Sequence, residues 1–119
     1  TGFTPETSAY SLGAAMTLLS AAQTITANPT QGFIVLMHES VDSLTMNTDF
    51  TGKVSIDNGV TFTSAVTFTF KSAYSSTVDI YVSGLVDVSA QTGTQLVIKY
   101  ETANTKEQRV HGHYFGVSA

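Results

Sequence analysis

The chain has 119 residues, which is enough for one domain with a single two-layer core. Only 12% of the residues are charged and the net charge is −4, so the few scattered Lys and Arg residues give no basic stripe for nucleic-acid binding. Cys is absent, which excludes disulfides and thiolate metal sites and is consistent with assembly in a reducing cytoplasm.

Residues 1–13 are predicted to form an extended N-terminal arm, followed by one domain over residues 14–119. The arm mixes Gly, Pro, Thr and Ser with isolated aromatic residues, a composition typical of irregular terminal segments. Its apolar side chains Phe3, Tyr10 and Leu12 are candidates for docking on a neighbouring subunit or another surface. Ordering the arm costs about 1–2 kcal/mol of backbone entropy per residue, so we expect it to order only where these side chains are buried.

The segment before residue 40 is predicted to contain two strands. A strand is favoured over Met16–Thr26, although Ala14–Ser20 also has helical propensity, and a turn follows at Asn28–Gly32 because its proline fixes φ. Phe33–Glu39 begins with apolar residues on both faces, as expected for a strand at the centre of a sandwich. The longest apolar run in the chain lies here and is far shorter than the ~18 residues of a membrane helix. The N-terminus also lacks the basic segment of a signal peptide.

The segment Phe50–Ile56 is predicted to be a strand whose core-facing and solvent-facing residues are clearly distinguished. A shorter strand is predicted before it, at Ser43–Met46. Polar residues alternate with one apolar set along Phe50–Ile56, so that set faces the core. Asp57–Gly59 can supply the positive φ angles of a tight turn, and strand-forming residues flank it, so a hairpin is predicted here. The core-facing residues of this strand are Phe50, Gly52, Val54 and Ile56.

Four more strands are predicted in the second half of the chain, over residues 66–71, 78–83, 95–101 and 109–117. Apolar and polar residues alternate along each of the first three, which predicts that the apolar set faces the core. Tyr81 alternates with the predicted core-facing residues of its strand and is therefore a possible surface aromatic. The predicted core-facing residues are Val66, Phe68, Phe70, Val78, Ile80, Val82, Leu96, Ile98 and Tyr100.

These elements predict an all-β fold with about seven or eight strands spaced near every ten residues. Such a pattern is typical of an antiparallel β-sandwich, and we expect a jelly-roll-like arrangement. The facing of the last strand stays open because Gly112 and Gly116 interrupt its alternation.

Two histidines in the last predicted strand are the strongest candidates for a metal site. His111 and His113 are two residues apart, so their rings are predicted on one face of the strand. A third ligand cannot be placed, although His38 and Glu39 would be available if their strand lay alongside. Ordinary interface histidines are the favoured interpretation, and their titration near pH 6–7 would make an assembly sensitive to pH. No metal or other cofactor is predicted.

Catalysis is not predicted, because no Gly-x-Ser-x-Gly elbow or other nucleophile motif is present. A pair of carboxylates for glycoside hydrolysis stays open, since such a pair is defined by its separation in space. Carbohydrate binding is a sharper alternative, because sandwich modules often present aromatic rings to sugars. Four residues are possible surface aromatics, more typical of a core edge or a subunit contact than of a sugar platform: Tyr74, Tyr81, Tyr114 and Phe115.

Several segments resemble the small β-modules of tailed-bacteriophage virion proteins. Asn47–Phe50 and Val54–Thr63 are similar to the "NTD…VSxDGGTTW" pattern of these modules, and Val86–Gln91 and Lys99–Thr102 resemble their "VDVSAQ…GT…KxET" segment. Val110–Gly112 resembles their closing strand. The resemblance covers residues 34–117, and it is carried by the order and spacing of the motifs.

Two positions depart from this pattern. Asn58 replaces the usual first glycine of the turn, which asparagine tolerates because it can adopt left-handed backbone angles. Phe62 stands where Trp or Tyr is common, so it keeps an aromatic ring for packing and loses the polar group. The second departure weakens any expectation that this position binds sugar.

The resemblance implies a non-enzymatic structural protein of a phage virion, most simply a capsid decoration (cement) protein on the shell surface, assembled in the host cytoplasm. A tail, fibre or receptor-binding module is the alternative within the same family. The implied partners are the major capsid protein or other virion proteins, with a homo-oligomer, favoured as a trimer. Neither nucleic acid nor membrane is an expected partner, and a glycan remains a minority interpretation. The interface candidates are Phe3, Tyr10, Leu12, Tyr81, His111, His113, Tyr114 and Phe115.

Overall fold

The structure is a computed structural model that describes residues 10–12, 16–25 and 29–118. Every regular element in these residues is a β-strand, and the strands form two antiparallel sheets packed together as a β-sandwich. The predicted fold class is confirmed, whereas the jelly-roll arrangement stays a prediction. The strands are β1 (Tyr10–Leu12), β2 (Thr17–Leu19), β3 (Gln23–Thr24), β4 (Gln31–Ser40), β5 (Phe50–Ser55), β6 (Thr69–Ala73), β7 (Asp79–Val82), β8 (Val86–Asp87), β9 (Gln95–Thr102) and β10 (Gln108–Ser118).

The larger sheet has six strands in the order β1-β10-β4-β7-β6, with β8 also paired to β4. β4 is its central strand, as its apolar sequence predicts, and β10 pairs along it from Gln108 opposite Ser40 to Ser118 opposite Gln31. The smaller sheet has four strands arranged around β9. Lys99 pairs with both β2 and β5, so these two strands flank β9.

The core lies between the two sheets and is built from apolar side chains of both. Phe50 is fully buried and stacks on Tyr100 with 5.3 Å between the ring centroids, and Phe68 also packs against it at 5.9 Å. Burying a side chain of this size stabilises the fold by about 1.5–3 kcal/mol. The predicted core positions on β5 and β9 are confirmed, as are Val66 and Phe68: Phe50, Val54, Ile56, Leu96, Ile98 and Tyr100 are all buried.

The strand predicted at Ser43–Met46 is wrong. Only Met46 makes an isolated bridge, to Phe50, because the carboxylate of Asp49 accepts a hydrogen bond from the backbone N–H of Thr45 and closes a turn. Asn47 in that turn has a φ of 73°. The strand predicted over Met16–Thr26 is present only in part, as the separate short strands β2 and β3.

The turn Asp57–Gly59 forms as predicted, but the second arm of the hairpin does not. Asn58 and Gly59 have φ values of 63° and 83°. The residues that follow form no regular strand, because the carboxylate of Asp57 accepts hydrogen bonds from both the backbone N–H and the hydroxyl of Thr61 and keeps the chain in a loop. Thr63 then donates a single backbone hydrogen bond to Val54.

The facing predicted for β7 is wrong. Tyr81 lies directly opposite Leu36, which is fully buried in the core, so Tyr81 points inward. Ile80 and Val82 therefore point to the outer face. Phe70 lies opposite Tyr81 and shares the inner face, but 55% of its surface is exposed because β6 is an edge strand that packs closely only on β7.

The last part of the predicted arm lies in a strand. Tyr10–Leu12 already forms β1, which pairs with Gln108–Val110 at the edge of the larger sheet. The part of the predicted arm that includes Phe3 lies outside the described residues.

Candidate interaction surface

A β-bulge in β10 separates the two histidines that the sequence places together. Val110 lies opposite His38 and Gly112 lies opposite Met37, so His111 is an extra residue in the ladder. His111 therefore points to the outer face of the larger sheet, and His113 points inward. The prediction that both rings share one face is wrong, because the bulge shifts the alternation between them.

On the outer face, His111 belongs to a small polar cluster at one end of β4 and β10. Its Nε2 lies 2.7 Å from Glu39 Oε1, and the Arg109 guanidinium lies 3.4 Å from the other oxygen of Glu39. Arg109 also contacts Glu107 at 3.7 Å. The hydrogen bond from His111 and the nearby charge of Arg109 hold the pKa of Glu39 below its ordinary value. We call Glu39, Glu107, Arg109 and His111 the Glu39 cluster.

On the inner face, His113 joins the two sheets. Its Nδ1 lies 2.7 Å from the hydroxyl of Tyr100, whose side chain is almost completely buried. Burial raises the pKa of Tyr100, so the hydroxyl stays protonated and can donate this hydrogen bond. His113 is thus a packing residue between β9 and β10.

The outer face of the larger sheet is apolar beyond the Glu39 cluster. Val35 lies opposite both Val82 and Tyr114, and Met37 lies opposite Ile80. Residues directly opposite each other share a face of the sheet, so these side chains form one continuous patch. Phe33 and Tyr114 are each 37% exposed, with 6.1 Å between their ring centroids. We call this patch the outer apolar face; it consists of Phe33, Val35, Met37, Ile80, Val82 and Tyr114.

Gly116 allows the ring of Phe33 to lie flat on this face. The two residues are directly opposite each other on β10 and β4. A Cβ at Gly116 would come within 2.6 Å of the Phe33 ring, so any side chain there would displace it. The glycine that hides the alternation of β10 in the sequence therefore has a packing role on the outer face.

The other interface candidates are found in different surroundings. Tyr114 is exposed on the outer apolar face. Tyr81 is half-buried between the rings of His38 and Phe70, each with its centroid 6.0 Å away. The prediction that Phe115 is a surface aromatic is wrong, because it is fully buried in the core. Phe3 lies outside the described residues, and Tyr10 and Leu12 lie in β1.

A cleft of about 760 Å³ lies between the loop 61–67 and the segment 83–91. Its floor contains buried core residues such as Val66 and Val88, and Leu85 is 72% exposed at its edge. Several polar side chains in its walls bond to the chain's own backbone. Ser83 accepts a hydrogen bond from the Ile34 N–H and Gln91 from the Ile56 N–H. These groups hold the loops in place.

Within the described ranges, no group of three or more His, Cys, Asp or Glu side chains is placed to hold a metal ion. In the same part of the chain, no helix is long and apolar enough to span a membrane. Comparison with family models, with curated proteins and with solved structures gave no match. Since these comparisons point to no site, we take the outer apolar face as the candidate site on the basis of its exposed apolar residues.

Proposed function

We propose that this chain is a structural protein that attaches to other proteins through the outer apolar face, and that it serves as a capsid decoration protein of a phage virion. The observation that supports attachment is the apolar character of an outer sheet face that solvent reaches. Antiparallel sandwiches usually carry polar residues on that side, so an apolar set there favours a contact with another protein. The sequence resemblance supports the phage shell as the partner.

The size of the face favours several copies acting together. Three strands about 4.8 Å apart and five residues along β4 give roughly 200 Å². A stable pairwise interface uses about 800 Å² per partner, so one face alone would bind weakly. Copies held in an oligomer, such as a trimer, would raise the effective concentration of each further contact. A cement protein that bridges capsomers meets this requirement.

Carbohydrate binding is the second candidate, and the exposed rings of Phe33 and Tyr114 favour it. The two rings are inclined at 48° to each other, so they do not form one flat platform for a sugar. A tail or receptor-binding module would use the same face on a different partner.

The direct test is co-sedimentation of the purified protein with expanded, undecorated phage shells. The matched variants are Val35→Thr with Val82→Thr on the outer apolar face and Leu19→Thr on the other sheet, since threonine keeps the strand propensity. We expect the double variant to reduce shell binding about tenfold, which corresponds to a loss of about 1.4 kcal/mol, and Leu19→Thr to leave it unchanged.

Equal shell binding by all the proteins would contradict the assignment of the face. No binding to shells together with binding to host cells would support a receptor-binding module. Retention on an immobilised glycan would support the carbohydrate alternative.

A further inference from the structure

A buried polar group lies at the end of the sandwich where β4 and β10 meet the turn before β10. Gln108 is fully buried, and its Nε2 donates hydrogen bonds to the carbonyl oxygens of Asp49 at 3.1 Å and Lys106 at 3.3 Å. Its Oε1 is therefore an acceptor, and it lies 2.8 Å from Nε2 of His38. This contact requires that Nε2 of His38 carries the proton.

His38 is held in its neutral form by its burial. It is only 1% exposed, and its ring packs against Phe50 with 4.9 Å between centroids. With the proton on Nε2, its Nδ1 is a buried lone pair that no donor among the described residues reaches. Protonation would place a charge and a donor without an acceptor in the core, which is strongly unfavourable.

The charged groups around His38 do not offset its burial. Asp79 lies directly opposite it on β7, beside Tyr81, and Glu39 follows it on β4. The hydrogen bond to Gln108 and these two carboxylates favour the protonated ring, whereas His111 on β10 disfavours it. Burial has the largest effect and holds the pKa of His38 below its ordinary value.

The turn that Gln108 holds is strained. Asn104 and Thr105 have φ values of 64° and 54°. A β-branched residue such as threonine is rarely found in this left-handed region, and such a conformation persists only where surrounding contacts enforce it. The turn is held by the bond from Gln108 to Lys106, by the bonds from Ala103 and Asn104 to Asp49, and by the bonds that join Glu107 to Val41 and Asp42.

We propose that His38, Gln108 and the turn 103–107 form an acid-sensitive latch: when the strained turn opens, His38 leaves the core and takes up a proton, so a fall in pH favours the open state. Opening would free the start of β10, and it would disturb the Glu39 cluster, because Glu39 and Arg109 directly follow His38 and Gln108 in their strands. The latch acts within one chain and does not depend on the proposed function.

The pH range in which the latch opens follows from the direction in which the pKa of His38 is shifted. The pKa of His38 is lower in the folded chain than its ordinary value of about 6.5, so the unfolded or opened state takes up the proton first. The stability of the closed latch is complete above about pH 6.5 and decreases as the pH falls towards the folded value. The pKa values of Asp49 and Glu39 are also lowered, so both carboxylates stay ionised in this range.

Hydrogen exchange at about pH 7.5 and about pH 5.0, compared as protection factors, tests the latch on the whole chain. We expect protection over residues 103–110 to fall about tenfold or more at the lower pH, which corresponds to one pKa unit between the closed and open states. Protection in the β5–β9 ladder should not change. His38→Gln keeps a donor for Gln108 and cannot titrate, so it should abolish the pH dependence. His111→Gln, which removes an outer-face histidine, should retain it.

NMR titration of the three histidines covers the case in which His38→Gln does not fold. The latch predicts that the His38 ring of the folded chain stays neutral until protection over 103–110 is lost. A His38 midpoint near 6.5 with full protection would overturn the proposal. Equal protection at both pH values, or loss of the pH dependence in His111→Gln, would also overturn it.

Discussion

The outer face of the larger sheet is apolar, whereas that of the smaller sheet is mostly polar. Packing of the core that the two sheets share does not require this difference. Val97 is the buried apolar residue on the outer side of β9, and the chain's own loop around Ser55 and Gly59 covers that end of the smaller sheet. The rest of that face is mostly polar: Leu19 is exposed opposite Lys99, and Lys53 pairs with Glu101 at 3.6 Å. The outer apolar face of the larger sheet has no such cover within the described residues.

This comparison separates the demands of folding from those of contact. Both sheets bury their inner side chains against one another, so either outer face could be polar without loss of the core. Threonine has good strand propensity and serves this purpose at Thr51 on the smaller sheet. Valine, isoleucine and methionine on the outer face of the larger sheet are therefore consistent with the proposed contact with another protein.

The largest effect is expected from a glycine on the inner side of β4. A Cβ at Gly32 would meet the ring of Phe115 and the backbone carbonyl of Gly116, neither of which can move far. Gly32→Ala should lower the free energy of unfolding by about 1–3 kcal/mol in a urea titration. Gly116→Ala on the outer side meets only the exposed ring of Phe33 and should cost less. An equal or larger loss for Gly116→Ala would show that the outer face is packed as rigidly as the core.

A second prediction reverses the comparison by making the smaller sheet more apolar. Thr17→Val and Thr51→Val place valine on its outer face. We expect each to change the free energy of unfolding by no more than about 0.5 kcal/mol and to leave shell binding unchanged. Shell binding that rises with these changes would mean that any apolar sheet face suffices for attachment.

Acid should affect the turn at Asp57 and the region around His38 over different pH ranges. Hydrogen bonds from Ser55 and Thr61 lower the pKa of Asp57 from 3.8 to about 2. The folded value is depressed, so this stabilisation is present above about pH 3.8 and is lost as the pH falls through about 2. Asp57→Asn should therefore lower stability at neutral pH, and its difference from wild type should disappear near pH 2. A difference that disappears near pH 6.5 instead would point to a histidine.

The smallest effect is expected for the ion pair on the polar face. Lys53 and Glu101 are partly exposed, and such pairs contribute about 0–1 kcal/mol, less at high salt. Lys53→Ala should shift the urea midpoint only slightly, and the shift should shrink in 1 M salt. A large shift that persists in salt would show that the polar face has a structural role of its own.

The sequence allows the inner side of the smaller sheet to be predicted, because strict alternation along β5 and β9 places Phe50, Val54 and Ile98 on one side. It does not allow the facing of β7 to be predicted. Its alternation favours Ile80 and Val82 over Asp79 and Tyr81 as the inner side, and only the register of Tyr81 with Leu36 shows that the reverse is true.

The candidate site was harder to predict for a related reason. An extra residue such as His111 leaves no signal in alternation, so the bulge and the separation of the two histidines could not be foreseen. The run Phe33–Met37, apolar on both faces, correctly predicts a central strand. It also contains the signal for the outer apolar face, because an antiparallel sheet at the surface of a sandwich has only one buried side.

Hydroxyl-radical footprinting of the free and the shell-bound protein tests the central claim most directly, because aromatic and methionine side chains report their own exposure. Tyr114 and Met37 report on the outer apolar face, whereas Tyr74, which is 66% exposed, and Met16, which is 44% exposed, lie elsewhere. We predict that Tyr114 and Met37 lose reactivity on shells while Tyr74 and Met16 keep it. Unchanged reactivity at Tyr114 and Met37 in protein bound to shells would contradict the account.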